Sequence, residues 1–255
     1  MAEEVLDFYE ALADHYHLIF DDWDRAIDRQ AYVLGPLIAS HSSKHPLKIL
    51  DCSCGIGTQA IGFAKMGHVV VASDLSPAAV AHARCEAERR SLIMSFHVSD
   101  MTSLAEINAD DFDVVASLDN ALPHLTAPQL GQATQAIASK LKPGGLFLAS
   151  IRDYDALQHQ KPTMQQPTFY GEPGERRIVH QVWDWIDDTR YLVHLYLTLQ
   201  SGQRWQTHHF VSEYRCLPRE ELSMALTLAR FSDIRWLMPP QSSFYQPIIL
   251  ARRPA

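Results

Sequence analysis

Leu47-Lys48-Ile49-Leu50-Asp51-Cys52-Ser53-Cys54-Gly55-Ile56-Gly57-Thr58 is the stretch on which the fold turns. Leu47 to Asp51 reads as a short apolar strand, and Thr58 to Met66 as a helix. The glycines between them allow a sharp turn and a close approach of backbone to ligand at the head of that helix. Gly55 to Ala60 also fits the G-x-G-x-x-(G/A) dinucleotide fingerprint, so the turn alone does not choose among nucleotide ligands.

Outward from this turn, strands and helices alternate. His68 to Ser73, with its run Val69-Val70-Val71, reads as a strand buried on both faces. Ser76 caps the next helix, and Pro77 fills its first turn, where a missing N–H costs nothing. Ile93 to Val98 and Phe112 to Leu118 read as the third and fourth strands. A helix over about 128–140 stops at Lys142-Pro143-Gly144-Gly145, and Leu146 to Ile151 follows as a fifth strand. Such alternation predicts a parallel sheet with helices on both faces. The pattern then changes. Arg176 to Trp185, Arg190 to Gln200 and Arg204 to Cys216 read as strands joined by tight turns, hence an antiparallel meander. A helix from about Arg219 to Arg230 and strands near Ile234 to Met238 and Tyr245 to Ala251 close the chain. Before the turn, residues 4 to 40 read as two amphipathic helices, followed by a loop from Ser40 to Pro46.

The 255 residues suit one domain with an insertion, and 47% hydrophobic and 20% charged residues are ordinary for a globular protein. No run of eighteen apolar residues occurs, so no membrane span is expected. The acidic opening Met1-Ala2-Glu3-Glu4 does not resemble a secretory signal, and a cytoplasmic location is expected. A net charge of -8 without long basic clusters argues against a nucleic-acid partner. Cys52, Cys54, Cys85 and Cys216 form no C-x-x-C unit and read as free thiols. The scattered histidines, His208-His209 among them, give no metal-binding spacing, so no metal is expected.

Four motifs follow one another in order. Asp51 precedes Gly55 and Gly57; Asp74, with Leu75 beside it, ends the second strand; Asp100-Met101 follows the third; and Leu141-Lys-Pro-Gly-Gly leads into the fifth. A carboxylate at Asp74 suits ribose hydroxyls, Asp100 suits an adenine amino group, and the Met101 thioether suits the ring face. Over residues 47 to 151 the chain resembles the class I S-adenosylmethionine-dependent methyltransferases. The resemblance implies a Rossmann-like α/β fold: a seven-stranded, mostly parallel sheet with helices on both faces, the last strand antiparallel, and an antiparallel β insertion. It divides the chain into a helical cap (1–45), a cofactor-binding core (46–155 and 217–255) and an insertion (156–216) that forms a substrate lid.

Leu118-Asp-Asn-Ala-Leu-Pro-His-Leu125, Ser150-Ile-Arg-Asp-Tyr-Asp155 and Tyr214 look like the glycine and sarcosine N-methyltransferase group. That resemblance implies that Arg25, ten residues before Gly35, pairs with the methionine carboxylate of the cofactor. Leu118 and His124 would line the cofactor cleft. Asn120 would face the reacting amine, Arg152 would bind a substrate carboxylate, and Tyr214 would frame the acceptor; Asn120, His124 and Tyr214 form the catalytic set. Asp153 stands where that group has Asn, and the group's N-terminal tyrosine matches Tyr9 or Tyr16. Independently, a guanidinium fork suits a carboxylate, and Arg152 follows an apolar strand at the edge where ligands bind such sheets. A surface ion pair of Arg152 with Asp153 or Asp155 is the bland alternative. Trp183 and Trp185 read as packing residues.

The expected activity is therefore N-methylation of a small amine or amino acid carrying a carboxylate, with S-adenosylmethionine as cofactor and a small-molecule acceptor as partner. A homo-oligomer is compatible with the sequence. An O- or C-methyltransferase, a non-catalytic adenosylmethionine-binding regulator and an NAD-dependent oxidoreductase are the alternatives.

Overall fold

The computed structural model of the protein describes residues 2–41 and 44–255. Met1 of the acidic opening, and Ser42 and Ser43 of the loop after the second helix, lie outside the described residues. Helix α1 (Ala2–Leu12) and helix α2 (Trp23–Ala39) flank a single 3-10 turn, Tyr16–Ile19. Asp22 caps α2 by accepting from the Arg25 N–H, satisfying a donor that the helix itself leaves unpaired.

The core then alternates as the sequence predicts. It runs β1 (Lys48–Asp51), α3 (Thr58–Lys65), β2 (Val69–Asp74), α4 (Pro77–Arg89), β3 (Ser95–Val98), β4 (Phe112–Ser117), α5 (Ala127–Lys140) and β5 (Leu141–Ser150). Strand limits shift by one to five residues from the sequence reading, most at β5. β5 starts at Leu141, because the chain becomes extended immediately after α5 and the Pro-Gly-Gly segment joins the sheet across a register shift between Phe112 and Val114. The valine run is buried only from Val70 onward; Val69, the first residue of β2, is exposed.

After β5 come α6 (Tyr154–Gln160), β6 (Met164–Tyr170), β7 (Arg177–Trp185), β8 (Arg190–Ser201), β9 (Arg204–Arg215), α7 (Arg219–Leu228), β10 (Ser232–Leu237), α8 (Pro239–Ser242) and β11 (Ile248–Arg252). The large sheet has the order β10-β11-β5-β4-β1-β2-β3. β1 pairs parallel with both β2 and β4, and β4 with β5. β11 inserts antiparallel between β5 and β10, the one strand that runs against the rest. Strand order reverses between β1 and β4, and that switch leaves a crevice at the carboxyl ends of those strands. Phe63, Phe112 and Phe147 are fully buried among the layers, each contributing roughly 2–3 kcal/mol of apolar burial.

The meander is a separate four-stranded antiparallel sheet, β6-β7-β8-β9. On β8, Tyr191, Val193, Leu195 and Leu197 alternate onto one buried face. Leu195 and Leu197 pack with Phe210 against Phe8 and Leu12 of α1, so the first helix is held by the insertion. The sequence reading has three strands here and lacks β6 and α6. Pro167 obscures β6: it has no N–H to give a ladder, and the strand accommodates it at an edge with a register shift between Gln165 and Thr168.

Candidate active site

The glycine turn is built as its sequence requires. Gly55 and Gly57 take φ of 51° and 94°, in the left-handed region that disfavours a Cβ. The Gly55 N–H donates to Asp74 Oδ2 at 2.8 Å, and the Ser76 N–H donates to Oδ1 at 3.0 Å. Burial raises the Asp74 carboxyl, and these backbone donors oppose the rise. Gly57 faces inward: a Cβ there would lie 3.1 Å from Ile61 and 3.2 Å from Ala83. Its smallness lets the turn close onto α3 and α4. Asp51 is buried beneath the turn, 1% exposed. The Ser53 N–H reaches its Oδ1 at 3.4 Å, while Oδ2 has no partner, and burial pushes the carboxyl up to about 7.

Above the turn lies a cleft lined by Gly55, Asp74, Leu75, Asp100, Met101, Leu118 and His124 among others. These seven predicted cofactor residues come together from four strand ends. Gly57 and Asp51 do not line the cleft; they support its floor. Arg25 is displaced from it altogether. Its side chain is 82% exposed and paired with Asp22 at 3.2 Å, at the solvent end of α2. The α2 arginine that does line a cavity is Arg29, one turn further along and rotated by about 40°.

A second cavity of about 700 Å³ adjoins the first, and Tyr9, Tyr16 and Asp119 line both. Both tyrosines that the sequence offers for one role are therefore at the site. Asn120, Arg152 and Tyr214 line this second cavity with Gln181 and Trp183. Asn120, held at a φ of 70°, accepts from the Arg152 N–H at 2.9 Å through Oδ1, and its Nδ2 is buried without a partner. The Arg152 guanidinium donates to the Tyr191 hydroxyl at 3.0 Å. It lies 4.8 Å from the Trp183 ring centre and 5.1 Å from that of Tyr214. Trp183 thus packs on Tyr191 and also carries a cation.

The two acids beside Arg152 do not pair with it. Asp153 and Asp155 bind Arg219 of α7 instead, at 2.8 Å and 2.9 Å. Among the described residues Arg152 has no carboxylate partner within salt-bridge distance. Its charge is held by aromatic faces and a hydroxyl, with donors left to spend on a ligand. His124 links the cavities differently. The Tyr9 hydroxyl meets its Nε2 at 3.0 Å, and its ring centre lies 4.1 Å from that of Tyr214 with the planes tilted by 41°. Burial holds its pKa down to about 3, so the imidazole is neutral through the physiological range and a weak base.

The sequence reading passes over Asp119, Gln59 and Ser53, although Asp119 sits between two residues that it singles out. The signal was position: residues just past a central parallel strand point into the switch crevice. The cysteines are free thiols, Cys52 and Cys54 buried beside the turn. Among the described residues no group of His, Cys, Asp and Glu could hold a metal ion, and no helix is long and apolar enough to cross a membrane.

The whole architecture has solved counterparts. The crystal structure of Streptomyces venezuelae DesVI superposes with a TM-score of 0.78 over 95% of this chain and 98% of that one, at 21% identity. The fold is one shared with solved methyltransferases. Residues 49–145 match a family model described as a methyltransferase domain. An amino pentose methyltransferase from Micromonospora echinaspora, CalS10, shares the methyltransferase fold at a TM-score of 0.72. It covers 89% of this chain and 91% of its own, at 19% identity. Among curated proteins, a ubiquinone biosynthesis O-methyltransferase of Xanthomonas campestris pv. campestris (strain B100) is 30% identical over 152 residues. That match takes in 57% of this chain, and the chain spans 60% of that relative's length.

Proposed function

We propose that the protein is an S-adenosylmethionine-dependent methyltransferase of a small molecule, and that its acceptor is an amine bearing a carboxylate. The cofactor half of this reading rests on the cleft and on the family match over residues 49–145. The cleft fits the group. Asp74 and Asp100 present carboxylates at successive strand ends, Met101 offers a thioether face, Gly55 opens the backbone, and buried Asp51 Oδ2 lacks a partner. In that cleft Asp74 would accept from the ribose hydroxyls and Asp100 from the adenine amino group, with Leu75 and Met101 flanking the ring. Bound there, the cofactor supplies a methyl group already activated on a sulfonium.

The protein is then left with alignment and water exclusion rather than nucleophile generation. The observation that carries the acceptor half is Arg152, a cation on two aromatic rings without an acidic partner, in the cavity next door. Its donors would grip the acceptor carboxylate, Asn120 Nδ2 would orient the amine, and Tyr214 would wall the cavity. The β6–β9 sheet and α1 would form the lid, since both line the cavity. A neutral amine brings its own lone pair. This agrees with a His124 too weakly basic to take a proton from an alcohol.

Calorimetry with adenosylhomocysteine and NADH side by side tests the cofactor, with micromolar adenosylhomocysteine binding and no NADH response expected. Tight NADH binding with silence toward adenosylhomocysteine refutes the reading. Adenosylhomocysteine production against a panel of amino acids, amines, phenols and sugars tests the acceptor, with turnover confined to carboxylate-bearing amines. O-methylation is the second reading, favoured by the 152-residue match to a ubiquinone biosynthesis O-methyltransferase. Exclusive turnover of phenols would select it.

A further inference from the structure

The acid at the junction of the two cavities is Asp119. It follows β4, takes a φ of 57°, and lines both the cofactor cleft and the acceptor cavity. One oxygen is fixed. Gln59 of α3 donates to Oδ2 at 2.7 Å and, through its other hydrogen, to Gln30 of α2 at 2.7 Å. Gln30 and Gln59 are themselves buried, so the carboxylate is tethered through a buried amide chain to two helices. The other oxygen, Oδ1, is buried and accepts no hydrogen bond. A buried carboxylate oxygen without a donor is costly, and its proper complement is an N–H or O–H group of a ligand.

We infer that Asp119 binds the acceptor's ammonium through Oδ1 and receives the proton that must leave before methylation. This rests on the proposed function. In the step, one N–H bond of the ammonium breaks and an O–H bond forms on Oδ1, and the electron pair remains on nitrogen. That pair forms the N–C bond to the transferred methyl while the C–S pair returns to sulfur. The methylated product leaves as its ammonium, and as the site opens Asp119 passes the proton it received to water, ready for the next cycle. The carboxyl suits the task, because burial holds it up at about 6 against the Gln59 amide, near enough to neutrality to exchange a proton.

The groups facing it from the surrounding elements agree with a cationic guest. Tyr16 from the 3-10 turn and Tyr9 from α1 line both cavities beside it, and the buried Asp51 carboxyl of β1 lies within its electrostatic reach. His124 is neutral, and Arg152 and Arg29 are the cations of the adjoining cavity. Together Asp119 and Arg152 make a site for a zwitterion, with one charge of each sign offered to the ligand.

The test reads Asp119 directly. Protein carrying aspartate labelled with ¹³C at the side-chain carboxyl is saturated with adenosylhomocysteine, and the Asp119 signal is identified by its loss in Asp119→Asn. Methylammonium chloride is titrated in, with potassium chloride and methanol as controls. The expected result is a saturable shift confined to the Asp119 signal, and a fall of its titration midpoint by one pH unit or more. Potassium and methanol should leave it unmoved. An unresponsive signal, or an equal response to potassium, overturns the inference. A midpoint that falls on adenosylhomocysteine addition alone and then ignores methylammonium also overturns it, because the partner would be the cofactor's own ammonium. Failure of the sample to bind adenosylhomocysteine at all overturns the proposed function together with this inference. Retained binding with a silent Asp119 removes only the inference.

Discussion

Arg152→Met removes the charge on which the proposed acceptor site rests while keeping much of the side chain's bulk. In the native protein the guanidinium makes one hydrogen bond, to Tyr191 at 3.0 Å, and rests on Trp183 and Tyr214. A forked contact with a ligand carboxylate in such a partly desolvated site is worth about 3–4 kcal/mol, or roughly 100- to 1000-fold in kcat/KM. Arg152→Lys keeps the charge but loses the planar fork and weakens two ring contacts of about 0.5–1 kcal/mol each, so a loss of about 10- to 30-fold is expected. The assay is adenosylhomocysteine release, with the best acceptor from the amine panel and with its carboxamide counterpart. Native protein should prefer the carboxylate strongly, and Arg152→Met should lose that preference while handling the carboxamide within about tenfold of native. Tyr191 retains a partner in Tyr154 at 3.2 Å, so the melting temperature should move little. Equal losses for carboxylate and carboxamide would refute the reasoning, because Arg152 would then be serving the fold rather than the ligand.

Three further outcomes follow from the same geometry. Arg219→Ala releases Asp153 and Asp155 to compete for Arg152, so KM should rise several-fold with kcat little changed, although Arg219 lines neither cavity; steady-state kinetics reads this. Burial holds the Asp51 carboxyl at about 7, so between about pH 4 and 7 the folded state keeps a proton that the unfolded chain has lost. Stability of the ligand-free protein should therefore fall as pH rises through that window, by at most about 4 kcal/mol from this group. Asp51→Asn should raise its melting temperature at pH 8 while weakening adenosylhomocysteine binding in calorimetry. Gly57→Ala forces a Cβ into a left-handed position already crowded by Ile61 and Ala83, at about 2–3 kcal/mol, which a thermal melt should register as a drop of about 5–10 °C.

The parallel core was legible because its central strands are buried on both faces and its turns carry glycine, proline or a cap. Each of these is a local property of a few residues. Asp74, Asp100 and Leu118 could be placed by the same logic, since a residue that ends such a strand has one place to go. Arg25 shows where that logic weakens. A helix presents a residue according to its turn, and which turn meets the cavity depends on how α2 packs on α3, which no local pattern records. Arg152 was readable as a cation at a strand end, but its freedom from Asp153 and Asp155 was not, because the arginine that takes those acids comes from α7. Asp119 drew no notice in the sequence, because its place between the two cavities depends on how β4 and α3 are assembled.

Helix α1, which helps to close the cleft, lies far upstream in sequence of the strands that hold it. Phe8 and Leu12 have their apolar partners on β8 and β9, and Tyr9 reaches His124 across 115 positions of sequence. A nascent chain can emerge through β5, with every glycine and acid of the cofactor turn in hand, and still have an open trough where the finished protein has two adjoining chambers. Ligand capture is thereby tied to completion of the chain through β9. Adenosylhomocysteine affinity should therefore report docking of α1 on the β6–β9 sheet, and be absent from any fragment that ends before residue 215.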